Sequence, residues 1–284
     1  MVEKSDPNSL RGLVVANTRP TGQVAPMDEA IKNFGGSVFH SPLVEVIPRP
    51  LPRDELESLR EWAAGGVDAV VFCSANGVAQ FFSTGLDSLL HPTTVTLAIG
   101  PATARALKVA GVGGVRVPSK YSSIGLLETW SLLDPLPRRV LLPGAGSSGN
   151  FLARSFSLKS RDVETKVVRL YSLKPSTGEA GRLWDALGNG LVQVLPFTCP
   201  AAVAALASVD RLACPRPRSN LSGVLVAAIG PATADSLKLA GFPVDLVADD
   251  HTIAGLVESI ALRFKSGRTF SRTTAGPRTK SPPT

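Results

Sequence analysis

The chain has 284 residues, 44% of them hydrophobic and 19% charged, with a formal net charge of +7. That length suits one large domain or two of ordinary size, and so apolar a composition excludes a disordered chain. No apolar run approaches the roughly 20 residues that cross a bilayer, and the N-terminal MVEKSDPNSLRG lacks an apolar signal core. The expectation is a soluble cytoplasmic protein with no membrane contact, although a mature plastid chain would read the same way.

In chain order, short runs rich in Val, Ile and Leu predict strands. They fall at Leu13–Ala16, Ala69–Phe72, Thr96–Ile99, Val140–Leu142, Thr165–Leu170, Val192–Phe197 and Val224–Ile229. Continuous apolarity, not alternation, is what a parallel strand covered on both faces requires. Helical patterns lie between them: Asp54–Ala64 puts Leu56, Leu59 and Trp62 on one face, and another covers Phe151–Leu158. The fold class is therefore α/β, with two parallel sheets.

Two stretches mark chain crossings between domains. His40–Pro52 holds four prolines around a short extended segment, and Val167–Gly178 runs a strand into a Lys-Pro-Ser-Thr-Gly break. Residues 1–43 with 174–265 then form one domain and 46–169 the other, with a cleft between them. From Arg263 onward there are six bases and no acid, which leaves about +1 on the rest of the chain. The Ser-, Thr- and Pro-rich segment 266–284 reads as a disordered basic tail, and no nucleic-acid partner is expected.

The chain also repeats itself. AIGPATARALKVAGV (98–112) and AIGPATADSLKLAGF (228–242) agree at 11 of 15 positions, and FCSANGVAQF from Phe72 is echoed by FTCPAAVAAL from Phe197. A period near 130 residues is too long for a solenoid and indicates two similar domains. In each G-P-A-T-A turn, Pro101 or Pro231 suits the first helical position, Gly100 or Gly230 the N-cap, and Thr103 or Thr233 the first turn. Helix N-termini of this kind offer free N–H groups and a positive dipole end to carboxylates or phosphates. Ser74 and Cys199 each follow a strand, at the carboxyl ends where α/β sheets bind ligands.

The glycines of LLPGAGSSGN, at 144, 146 and 149, have the spacing of a dinucleotide fingerprint. The ribose-binding acid that should end the following strand is missing, since Glu164 precedes it and Leu170, Tyr171 and Ser172 stand at its far end. A metal site is not expected either. Cys73, Cys199 and Cys214 form no Cys-x-x-Cys pair, and His40, His91 and His251 stand far apart. A nicotinamide or flavin oxidoreductase and a non-catalytic two-domain anion-binding protein remain as alternatives.

The order of motifs resembles the uroporphyrinogen-III synthase family. It runs TRP (18–20), PLVEV (42–46), VFCSANGV, AIGPATA, LLPGAGSSGNFL, VVRLYSLKP, LPFTCPAAV, a second AIGPATA, and A-x-x-x-T-I-x-x-L from Ala248 to Leu256. The resemblance covers about Leu13 to Leu262. It implies two α/β domains joined by a two-stranded linker, and a monomeric lyase that needs neither a metal nor an organic cofactor. The implied reaction cyclises hydroxymethylbilane, a linear tetrapyrrole with eight carboxylates, losing water and inverting ring D. The preceding enzyme, hydroxymethylbilane synthase, is the implied partner.

By resemblance, Tyr171 is the catalytic proton donor, because a phenol stays protonated at neutral pH. Arg19, Ser74, Thr103, Gly144, Gly146, Cys199, Gly230 and Thr233 are the implied substrate-binding residues. Two departures stand out. Cys199 replaces the family's common Ser, and the loop at Gly144, often Arg-Gly in the family, is here Pro143-Gly144-Ala145-Gly146. Carboxylate contacts at that loop are therefore expected from backbone N–H groups and not from a guanidinium.

Overall fold

The structure, a computed structural model, describes residues 6–210 and 221–264; the tail 266–284 and Cys214 lie outside the described residues. The first half runs β1 (Val14–Asn17), α1 (Ala25–Asn33), β2 (Ser37–His40), β3 (Val44–Pro48), α2 (Arg53–Ala63), β4 (Ala69–Phe72), α3 (Ala75–Ser83), β5 (Val95–Ala98), α4 (Pro101–Val109) and α5 (Ser123–Ser131). The second half runs β6 (Arg139–Gly144), α6 (Ser147–Lys159), β7 (Glu164–Arg169), β8 (Tyr171–Pro175), α7 (Thr177–Gly188), β9 (Val194–Phe197), α8 (Pro200–Asp210), β10 (Leu225–Ala228), α9 (Pro231–Leu239), β11 (Leu246–Val247) and α10 (Ile253–Phe264).

The chain divides into two units, Met1–Glu45 with Pro175–Thr284 and Val46–Lys174. The first holds a five-stranded parallel sheet in the order β11-β10-β9-β1-β2. The second holds a four-stranded parallel sheet in the order β5-β4-β6-β7. The strands that carry the chain across the boundary, β3 and β8, pair with each other.

Both sheets are covered on both faces, which explains the unbroken apolar runs. In the first unit Leu195, Phe197, Val226 and Ala228 pack with residues of α7, α8 and α9, while Val194, Leu225 and Ala227 turn toward α1 and α10. In the second, Val70, Phe72 and Leu141 meet α2, α3 and α4, while Ala69, Val71, Val140 and Leu142 meet α5 and α6. Successive strand residues go to opposite cores, as the pleat dictates. On α2, the expected face forms with Leu59 buried and Leu56 and Trp62 packed beside it.

Strands β2, β3, β8 and β11 lie outside the seven apolar runs, although β3 and β8 fall in the two expected crossings, His40–Pro52 and Val167–Gly178. Ser37 and His40 are exposed on β2, Ser172 and Lys174 are exposed on β8, and β11 has two residues, so none presents an apolar run. Helix α6 begins at Ser147, four residues before the expected Phe151. Gly146 sits at φ +100°, which turns the chain directly from the strand end into the helix, so the polar S-S-G-N stretch forms a first turn and not a loop.

Candidate functional site

The second unit gathers the glycine loop, Ser74 and Tyr171 around one small pocket. Ser74 caps α3: its extended backbone (φ −166°) lets Oγ accept from the Gly77 N–H at 3.0 Å. The same Oγ lies 2.9 Å from the Tyr171 hydroxyl, and either oxygen can be the donor. Tyr171, the first residue of β8, is buried at 5% exposure. The pocket, about 40 Å³, is lined by Cys73, Ser74, Gly144, Gly146, Gly149 and Tyr171 among others. A space that small seats one carboxylate or ring substituent, well short of the ~300–1,000 Å³ that encloses a whole small ligand.

Space is tight at some of the glycines in and around this pocket, although a Cβ on Gly144 would meet nothing within 4 Å. A Cβ on Gly77 would stand 3.1 Å from the Pro143 carbonyl oxygen. Gly146 is the N-cap of α6, and the first helical bond runs from the Asn150 N–H to its carbonyl, leaving the amides of the first turn without helical partners. Gly149 lets the helix approach β7, since a Cβ there would stand 3.0 Å from Val167 Cγ1. Burial of the Cys73 thiol among apolar atoms pushes its pKa up to about 12, so it is a neutral wall of the pocket and no nucleophile.

The register bears on the dinucleotide question. Glu164 is the first residue of β7 and pairs with Arg139, whereas Arg169 pairs with Gly144. Glu164 therefore belongs to the strand, which corrects the expectation that it precedes it, but it lies at the end away from the loop. The residue level with the glycines is a cation, not a ribose-binding acid.

Thr103, also in the second unit, stands in the first turn of α4 behind N-cap Gly100 and Pro101. In the first unit Gly230, Pro231 and Thr233 open α9 in the same way. Both threonines are buried at 3% exposure, and among the described residues neither hydroxyl has a hydrogen-bond partner. Arg19 is half-buried; its Nε donates to the Gln23 carbonyl at 2.8 Å and a terminal nitrogen to Gln23 Oε1 at 3.1 Å. Burial lowers its pKa, and the neighbouring Cys199 opposes that shift. Cys199 precedes α8 as Ser74 precedes α3. Desolvation raises its pKa above the usual value, so it too remains a thiol.

A third pair of duplicated turns escaped the sequence reading. Tyr121 packs on Gly100, where a Cβ would stand 3.3 Å from its Cβ, and the His251 ring packs on Gly230 at 3.2 Å. Ser122 Oγ accepts from Gly125 N–H at 3.1 Å and Thr252 Oγ1 from Gly255 N–H at 3.0 Å, capping α5 and starting α10. The signal was present in Y-S-S-I-G-L-L-E (121–128) and H-T-I-A-G-L-V-E (251–258), which share only Gly, Leu and Glu. Among the described residues no group of three or more His, Cys, Asp or Glu side chains could hold a metal ion, and no helix is long and apolar enough to cross a membrane.

A family profile described as Uroporphyrinogen-III synthase HemD matches residues 25–258. A protein of Methanothermobacter thermautotrophicus, provisionally named uroporphyrinogen-III synthase, is 30% identical over 255 residues, covering 87% of this chain and 97% of that protein. The uroporphyrinogen-III synthase of Chlorobaculum parvum is 26% identical, covering 87% and 98%. Among solved structures, a mutant uroporphyrinogen III synthase of the extreme thermophile Thermus thermophilus superposes with a TM-score of 0.58 at 23% identity, covering 89% of this chain and 99% of that one. At that identity the likeness is one of fold.

Proposed function

Because this chain belongs to the uroporphyrinogen-III synthase family, we propose that it closes hydroxymethylbilane to uroporphyrinogen III, with loss of water and inversion of ring D. The observation that carries a chemical role is the Ser74–Tyr171 pair, 2.9 Å apart on the wall of the glycine-loop pocket. Departure of the substrate's hydroxyl is driven by the electron-rich pyrrole nitrogen, so a weak acid is sufficient. Tyr171 gives its proton to the leaving hydroxyl, the C–O bond breaks, and water departs to leave a cationic azafulvene. Ser74 Oγ, already accepting from Gly77, donates its own hydrogen to the phenolate that results.

Ring D then attacks through its substituted carbon, and the spiro intermediate fragments and re-closes. The proton lost as ring D regains aromaticity returns to Tyr171, and no oxidant or cofactor enters the balance. Most of the protein's contribution is positioning, because unguided closure gives the type I isomer. The helix N-termini at Gly100, Gly146 and Gly230, the hydroxyls of Thr103 and Thr233, and Arg19 with Cys199 are assigned to carboxylate and ring contacts.

The test is isomer analysis of product formed by purified protein from hydroxymethylbilane generated in situ, without added metal or cofactor. Uroporphyrinogen III in excess over type I is the expected result. Type I alone, at the spontaneous rate, refutes the proposal.

A further inference from the structure

Strand β7 ends at the glycine loop with an arginine. A Cβ on Gly146 would lie 3.2 Å from Arg169 Nε and 3.6 Å from one terminal nitrogen, so the guanidinium rests on the N-cap glycine of α6. The acid whose charge it feels is Glu55, but Glu55 is already held by Arg49 through both oxygens, at 2.6 and 2.9 Å. Arg49 also donates to the Arg169 carbonyl at 3.1 Å, which fixes the strand end, and Lys166 turns to Ser58 Oγ at 3.3 Å. Among the described residues the guanidinium of Arg169 has no hydrogen bond or ion pair.

An unpaired surface arginine is ordinarily just solvated. This one rests against Gly146, which walls the Ser74–Tyr171 pocket, and itself lines the neighbouring groove with Arg49, Glu55 and Lys166; the first-turn amides of α6 open from the same glycine. Cation, open amides and a carboxylate-sized space lie side by side, while Glu55, the acid that feels this charge, is held by another base. Resting on the tetrapyrrole reading, we propose that Arg169 binds substrate, gripping one carboxylate of the linear tetrapyrrole against the Gly146 end of α6. The loop without an arginine of its own thus gains a guanidinium from the neighbouring strand. A planar fork accepts a carboxylate through two parallel bonds, which a lysine cannot reproduce.

A phosphate would suit the same cation, since an arginine near a glycine loop also receives the 2′-phosphate of a dinucleotide. The experiment separates the two. Full-length wild type, Arg169→Gln and Arg169→Lys are compared for type III formation and for quenching of uroporphyrin III fluorescence. Loss of a charge-assisted bond raises KM and weakens uroporphyrin binding about tenfold in Arg169→Gln, less in Arg169→Lys, with kcat within about twofold. The wild type should also lose porphyrin affinity with added salt more steeply than Arg169→Gln. Unchanged KM and porphyrin affinity in a folded Arg169→Gln variant overturn the assignment. So does saturable NADPH binding that depends on Arg169 and is not displaced by uroporphyrin. Failure of the wild type to make type III product would count against the enzymatic reading, whereas the ratio of variant to wild type reports on Arg169.

Discussion

Removing Ser74 Oγ tests the site and the fold through one atom. In Ser74→Ala, the Gly77 N–H loses its acceptor and the Tyr171 hydroxyl loses a partner at 2.9 Å. Loss of an N-cap costs about 1 kcal/mol, and loss of a hydrogen bond between two side chains about 0.5–1.5 kcal/mol. The single variant should therefore be destabilised by about 1.5–2.5 kcal/mol in urea melts. Tyr171→Phe, which removes the second bond and leaves the cap, should lose about 0.5–1.5 kcal/mol but about a hundredfold in kcat, the low end of general-acid catalysis. In a double-mutant cycle the two stability losses should fall short of additivity by about 0.5–1.5 kcal/mol, because the shared bond can be lost only once. Additive losses, or Tyr171→Phe with near-normal turnover, would refute the coupled pair as the proton-donating element. Ser74→Thr retains a capping hydroxyl and should recover most of the stability.

Gly146→Ala forces a side chain onto φ +100° beside Arg169, so a loss of about 1–3 kcal/mol is expected by thermal or chemical melting, with weaker uroporphyrin binding. Unaltered stability there would show that the loop reshapes without cost. Burial also makes Cys73 a probe of pH. Its folded pKa of about 12 lies above the ordinary 9.0, so the unfolded chain releases the thiol proton first. The stability this thiol contributes is complete below pH 9.0 and is lost as pH rises from there toward 12. Cys73→Ala should flatten that part of the stability–pH curve, and an unchanged slope would exclude the thiol as its source.

The two α/β units, the parallel sheets and the duplicated G-P-A-T-A helix starts were legible in the sequence because each rests on a local signal. Buried parallel strands need unbroken apolar runs, and proline at the first helical position with glycine before it marks a helix start. The edge strand β2 and the two-residue β11 were not legible, because neither presents an apolar run. Nor was the start of α6, which depends on Gly146 adopting a positive φ. The sequence raised a nucleotide question at Gly144 and assigned the loop only backbone donors. Strand register set Arg169, and not Glu164, level with the glycines. The meeting of Ser74 with Tyr171, 97 residues away along the chain, likewise exists only in the folded unit. Local chemistry and periodicity are written into neighbouring residues. Which distant side chains share a pocket is fixed by strand pairing, which brings together residues that no spacing in the chain relates.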